Sequence, residues 1–297
     1  GAELYEHYED DPALVRVAAV MELLQSFLLI HDDIMDRDRL RRGSPSIHAQ
    51  YDELGESEGI DDHLHFGEAM GICAGDVAIF LATSLIADDS VPKLYQKSLL
   101  AAVSREIVRV GIAQMGDVYH GVSANPVTEA DVINVYRFKT GRYTFSLPLM
   151  CGAILAGAPI EDRRTLGQIG DGLGIVFQIK DDEIGLFGSS NSIGKTVGSD
   201  IASDKKTLHR IALFNLADGA TGARIAKIFG RENPSDADVQ AVLSAMRDFG
   251  VPSLVSSKLH QYAEETRVHI RRSLSGMPDR GIAMLEQLLE YNLTREI

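Results

Sequence analysis

The chain has 297 residues, 45% hydrophobic and 24% charged, which is enough apolar material for a sizeable core and excludes a disordered chain. A net charge of -14 leaves no broad basic face and so excludes a nucleic-acid partner, but not an anionic substrate, because divalent cations can bridge carboxylates to phosphates. Cys73 and Cys151 lie far apart in apolar surroundings, which argues against a disulfide framework and for a reducing, cytoplasmic setting.

The chain opens at Gly1 without a Met, so part of the natural N-terminus is expected to be missing. Apolar residues recur at the helical period over about 12–36, in a run broken by Glu22 and Gln25 that falls short of a membrane span. That helix ends in Asp32-Asp33-Ile34-Met35-Asp36. Spacing of four sets Asp32 and Asp36 about 40° apart on one face, and Gln25 lies on the same stripe. Carboxylates stacked in this way can share hard cations, and Mg²⁺ takes one or two of them while keeping waters and accepting phosphate oxygens. Acids at a helix C-terminus oppose its dipole and need compensation. Arg41-Arg42-Gly43 opens a loop, and 52–65, acidic with Gly55 and Gly59, reads as a second break.

Helical periodicity resumes over about 66–87, 92–121, 128–138 and 143–157, with Lys139-Thr140-Gly141 interrupting the last two. The next helix, 161–184, carries Gly170 and Gly174 one turn apart, which suits either close packing or room for a ligand. It closes on Gln178, Asp181 and Asp182, a second acidic cluster at the end of an apolar helix. Residues 185–199, rich in Gly and Ser and carrying Lys195, read as a flap, with Lys205-Lys206 just beyond. Helices over about 204–217, 236–249, 252–274 and 279–292 complete the chain. No stretch alternates as a strand should, and no linker divides the sequence. The expectation is an all-α protein, one domain over 1–297, built as a single large helical bundle around a central apolar cavity.

Two helices that each end in paired acids can face one another across a bundle and share a metal site. Arg41, Arg42, Lys139, Lys195 and Lys205 add the cations that grip phosphate oxygens. At these residues the chain resembles the trans-type isoprenyl diphosphate synthases, the farnesyl and geranylgeranyl diphosphate synthase family. The match runs through Glu22 to Gln25, Asp32 to Asp36, Leu40 to Pro45, Lys139-Thr140, Gly174 to Asp182 and Gly194 to Lys206.

The resemblance implies an isoprenoid synthase fold, a homodimer, and condensation of isopentenyl diphosphate with an allylic diphosphate. It implies three Mg²⁺ held by Asp32, Asp36 and Asp181, with Asp33 and Asp182 in support. Arg41, Lys139 and Lys195 would bind the allylic diphosphate, with Lys205 nearby, and Arg42 and Gln25 the isopentenyl diphosphate. Thr140, Gln178 and the Lys139 carbonyl would face the allylic cation. In that family the departing diphosphate can take the proton, so His31 is read as structural. Two departures stand out: Gly185 replaces the third Asp of the second cluster, and the family's Gly-Gly-Lys-x-x-Arg segment is absent upstream. The resemblance also implies that product length rests on residues just ahead of the first cluster, here Met21, Phe27 and Leu28. They resemble a C20-forming type, with C15 as the alternative, although the helical wheel turns Phe27 about 140° from Asp32. Rival readings are a non-catalytic subunit of a heteromeric synthase and a terpene cyclase; Gly185 and Ser189 stand where a cyclase needs metal-binding side chains.

Overall fold

The computed structural model describes residues 11–123, 125–188, 198–231, 233–274, 276 and 278–296. Its described residues are helical apart from connections and one two-residue ladder, so the all-α expectation holds. The chain divides into two compact units: residues 1–106 with 147–164, and residues 107–146 with 165–297.

In the first unit, α1 (Pro12–Met35) starts at an Asp11 cap, whose carboxylate accepts from Ala13 N–H at 2.8 Å, with Pro12 at the first helical position. It buries Ala13, Val17, Val20 and Leu24 on one stripe. A hairpin follows, β1 (Leu40–Arg41) paired antiparallel with β2 (Ser44–Pro45). Next come α2 (Ile47–Ser57) and α3 (His63–Ile86), and α3 packs against both α1 and α2. That packing needs the stripe Gly67, Gly71 and Gly75 on α3. A Cβ at Gly75 would meet the His31 ring at 2.3 Å, and one at Gly67 would meet His48 O at 2.5 Å. By length and apolarity α1 and α3 each suffice to cross a bilayer, contrary to the shorter apolar runs expected from sequence; here they pack on each other. The helix α4 (Lys93–Val122) begins in this unit, which also holds α6 (Leu147–Leu155), packed on α1.

The second unit holds α5 (Glu129–Val135), capped by a reciprocal Thr128–Asp131 box, and a π-helix over Tyr136–Ser146. Lys139-Thr140-Gly141 therefore does not interrupt the helix, as sequence implied; it sits inside a widened turn. Long π segments are rare and concentrate at functional sites. From α7 (Ile160–Phe187), residues 165–187 belong to this unit, so the helix runs past the break expected at 185. Among the described residues the remaining helices are α8 (Ser199–Ala202), α9 (Leu208–Leu216), α10 (Gly219–Ile225), α11 (Asp236–Asp248), α12 (Val251–Ser273) and α13 (Asp279–Thr294). Helix α12 packs against α9, α11 and α13.

Three other sequence expectations change. The segment 52–65 is not wholly a break, since α2 runs to Ser57. The chain is not strictly strandless, because the hairpin at 40–45 forms. Gly170 and Gly174 serve close packing: a Cβ at Gly174 would lie 2.2 Å from Gly141 Cα, and one at Gly170 2.5 Å from Ser146 N, which leaves no room for a ligand.

Candidate active site

In the first unit, Asp36 caps α1, and its N–H bonds to Asp32 O at 2.8 Å, so the two acids stay stacked one turn apart as the spacing required. Asp32 is half-buried and Asp36 exposed. Asp33 turns inward, 3% exposed, and takes the Arg41 guanidinium through Nε at 2.9 Å and through NH2. Burial raises the Asp33 carboxyl above its ordinary value, and Arg41 pulls against that rise. Arg41 is thus the compensation that an acidic helix end demands, since the last turn of α1 carries no basic residue. Arg42 stands exposed at the hairpin tip with φ 52°, followed by Gly43 at φ 77°. Gln25, Met21, Phe27 and Leu28 are all half-buried on α1. Phe27 contacts the His31 ring edge-on at 4.9 Å, and His31 Nε2 donates to Ile72 O at 3.1 Å.

In the second unit, the π-helix and α7 run antiparallel with a steady register. Ser146 meets Gly170, Gly141 meets Gly174, Thr140 meets Gln178 and Tyr136 meets Asp182. Thr140 Oγ1 donates to Gln178 Oε1 at 2.9 Å, and Gln178 Nε2 donates to Asp182 Oδ1 at 3.0 Å. Asp182 is 1% exposed and also accepts from Tyr136 OH and, at 3.1 Å, from Lys205 Nζ. Burial beside Asp182 pushes the Tyr136 phenol well above its ordinary value, so it remains a donor. Burial disfavours the Lys205 ammonium, but Asp182 and Asp200 outweigh it and hold Lys205 protonated. Asp181 faces outward, its side chain 50% exposed, with Arg295 at 2.9 Å.

Lys139 is half-buried and donates to Asp117 Oδ2 at 2.7 Å. Lys195 lies outside the described residues. The first unit therefore gathers Asp32, Asp33, Asp36 and Arg41, and the second gathers Thr140, Gln178, Asp181, Asp182 and Lys205. Sequence reading missed Tyr136, Asp117 and Arg295. Tyr136 had a signal: it precedes Thr140 by four, as Gln178 precedes Asp182.

The donor set suits magnesium. Among the described residues no three His, Cys, Asp or Glu converge as a ready cage for an ion. Outward carboxylates in ones and twos match a small hard cation that keeps water and takes phosphate oxygens.

A family model described as polyprenyl synthetase matches residues 2–246. The chain is 30% identical over 291 residues to a geranylfarnesyl diphosphate synthase of Aeropyrum pernix, spanning 97% of this chain and 84% of that protein. It is 30% identical over 294 residues to a (2E,6E)-farnesyl diphosphate synthase of Mycobacterium bovis, spanning 97% and 75%. The crystal structure of geranylgeranyl pyrophosphate synthase from Corynebacterium glutamicum, complexed with isoprenyl diphosphate and magnesium, matches with a TM-score of 0.89 at 29% identity. That match covers 99% of this chain and 83% of the other.

Proposed function

The chain belongs to the polyprenyl synthetase family and is a prenyltransferase; from that premise we propose that it condenses isopentenyl diphosphate with an allylic diphosphate, giving a C20 product. The family match spans residues of both units, which supports treating them as one catalytic domain.

One observation carries the reading. Each acidic cluster has a buried Asp clamped by a cation of its own unit, Asp33 by Arg41 and Asp182 by Lys205. Beside each, the remaining acids stay accessible to solvent: half-buried Asp32 and exposed Asp36 in one cluster, exposed Asp181 in the other. Solvent-reachable acids beside a buried, clamped one are the arrangement that a cation keeping its waters and taking phosphate oxygens needs.

Asp32, Asp36 and Asp181 are the proposed ligands of Mg²⁺, three ions in all, on the allylic diphosphate. Bound magnesium supplies the Lewis-acid charge that stabilises a diphosphate leaving group. Arg41, Lys139 and Lys195 grip that diphosphate, with Lys205 nearby, and Arg42 with Gln25 holds isopentenyl diphosphate. As the allylic carbon–oxygen bond breaks, Thr140 Oγ1 and Gln178 Oε1 are the fixed dipoles for the cation, locked by their mutual bond and by Asp182. The isopentenyl double bond then attacks the cation, and the proton leaves to the departing diphosphate.

Product length is assigned to Met21 and Leu28, which share the Asp32 stripe, and either change to Phe should shorten the product. Unchanged chain length by mass spectrometry would remove that assignment. A second copy of this chain is the proposed cover for the outer face of α3, where Ile72, Val77, Phe80 and Leu81 stay exposed, Phe80 at 73%. Light scattering at the monomer mass would overturn the homodimer. Two unpaired cysteines fit a cytoplasmic setting. The function itself is tested by incubating the protein with isopentenyl diphosphate, Mg²⁺ and each allylic diphosphate in turn. Elongation of a starter to C20 supports the proposal, and no elongation with any starter sinks it.

A further inference from the structure

The hairpin carrying Arg41 and Arg42 is too short to hold itself. Its ladder has only the pairs Leu40–Pro45 and Arg41–Ser44, closed at the base by Ser46 N–H bonding to Arg39 O at 2.9 Å. Isolated hairpins need more strands or a packed face to persist in water. Its turn also places Arg42 and Gly43 both in the left-handed region, the two-residue type I′ geometry that suits Gly and disfavours Arg.

Two carboxylates anchor it instead. Asp33 of α1 holds Arg41, as described above. On the other side, Asp52 of α2 accepts from Arg39 NH1 at 2.5 Å through Oδ2, and its Oδ1 binds His63 Nδ1 at the start of α3. Asp52 is 4% exposed, whereas the Arg39 side chain is 51% exposed. A buried acid on a helix that packs closely against α3 is a fixed point, and Arg39 is the lever that ties the hairpin to it. His48, on the same buried face of α2, bonds through Nδ1 to Ser46 Oγ at 3.1 Å and steadies the end of the hairpin.

We propose that Asp52 is a positioning residue for substrate binding: through Arg39 it fixes the orientation of the hairpin, so that Arg42 meets the isopentenyl diphosphate. This rests on the reading that Arg42 binds that diphosphate. The rival role for Asp52 is to tie α2 to α3 through His63.

Two variants separate the roles while leaving Asp52 in place. Arg39→Gln, at an exposed position, cuts the hairpin tie and keeps the His63 bond. His63→Gln does the reverse. Arg39→Gln should raise KM for isopentenyl diphosphate about tenfold, the scale of one charge-assisted hydrogen bond, with kcat and melting temperature near wild type. His63→Gln should lower the melting temperature and leave KM alone. In the Asp52→Asn background, Arg39→Gln should add nothing further to KM. Amide exchange over 39–46, which needs no turnover, should quicken in Arg39→Gln. Wild-type KM for both diphosphates in Arg39→Gln, or unchanged exchange over 39–46, overturns the clamp. A wild type that elongates nothing, with exchange still quickened in Arg39→Gln, sinks the enzymatic reading and leaves the anchoring intact.

Discussion

Replacing Gly174 by Ala puts one methyl group where α7 meets the π-helix. The added Cβ would lie 2.2 Å from Gly141 Cα and 3.1 Å from Gly141 N. Carbon atoms in contact sit at about 3.5–4.0 Å, so the two backbones must part by roughly 1.5 Å. Both colliding atoms are main chain, with no rotamer to yield. Overpacking of this kind costs about 1–3 kcal/mol, and two rigid helices argue for the upper end. At about 2 °C per kcal/mol for a chain this size, the melting temperature should fall by about 6 °C. The same parting breaks the 2.9 Å bond from Thr140 to Gln178, since hydrogen bonds fail beyond about 3.5 Å. Condensation kcat should therefore fall along with stability. Gly111→Ala is the control, because a Cβ there meets nothing within 4 Å and Ala favours a helix over Gly by about 1 kcal/mol. Thermal melts by circular dichroism and steady-state kcat are read for both. A Gly174→Ala protein that melts with wild type and keeps full kcat would refute this packing account.

Tyr136→Phe removes one donor from Asp182 and the acceptor of Leu208 N–H, and should cost about 2 kcal/mol by urea unfolding; a loss under about 0.5 kcal/mol counts against Asp182 as the hub. Arg42→Gly relieves left-handed strain of about 1 kcal/mol, so melting should hold or rise while KM for isopentenyl diphosphate climbs. Should melting fall instead, the turn geometry is wrong. Burial pushes the His209 imidazole down to about 4. Its ordinary value is about 6.5, so between the two the unfolded chain binds the extra proton. The stability is fully present above pH 6.5 and falls by about 3 kcal/mol as pH drops through 4. His209→Leu should flatten that slope relative to wild type in urea unfolding from pH 7 to 4, and parallel curves would contradict it.

The long helices were legible because each buries a large apolar stripe at the helical period. Helix α2 escaped because it buries His48, Ala49, Asp52 and Gly55 against the glycines of α3, a face with no hydrophobic signature. Helix α10, with Gly219 and Gly222, buries only Ile225 and failed for the same reason. The π-helix read as a break because its wider turn carries Lys139, Thr140 and Gly141 off the expected period. Within the site, spacing alone gave the stacking of Asp32 over Asp36. It could not tell that Asp33 and Asp182 turn inward, because that choice is made by Arg41, Tyr136 and Lys205, which come from other elements. Arg295 meets Asp181 only through the way the C-terminal segment packs, with its guanidinium 3.9 Å from the Phe177 ring centre. No local pattern in the sequence encodes that.

The central proposal is that Asp32 and Asp36 of one cluster and Asp181 of the other serve one metal-bridged diphosphate. Isothermal titration of a non-ionisable allylic diphosphate analogue, with and without Mg²⁺, tests it on wild type, Asp32→Asn, Asp181→Asn and the double variant. Each single change should abolish most of the Mg²⁺-dependent binding, and the double should be little worse than either, because both remove parts of one unit. Asp181→Asn binding the analogue with wild-type, Mg²⁺-dependent affinity would contradict it.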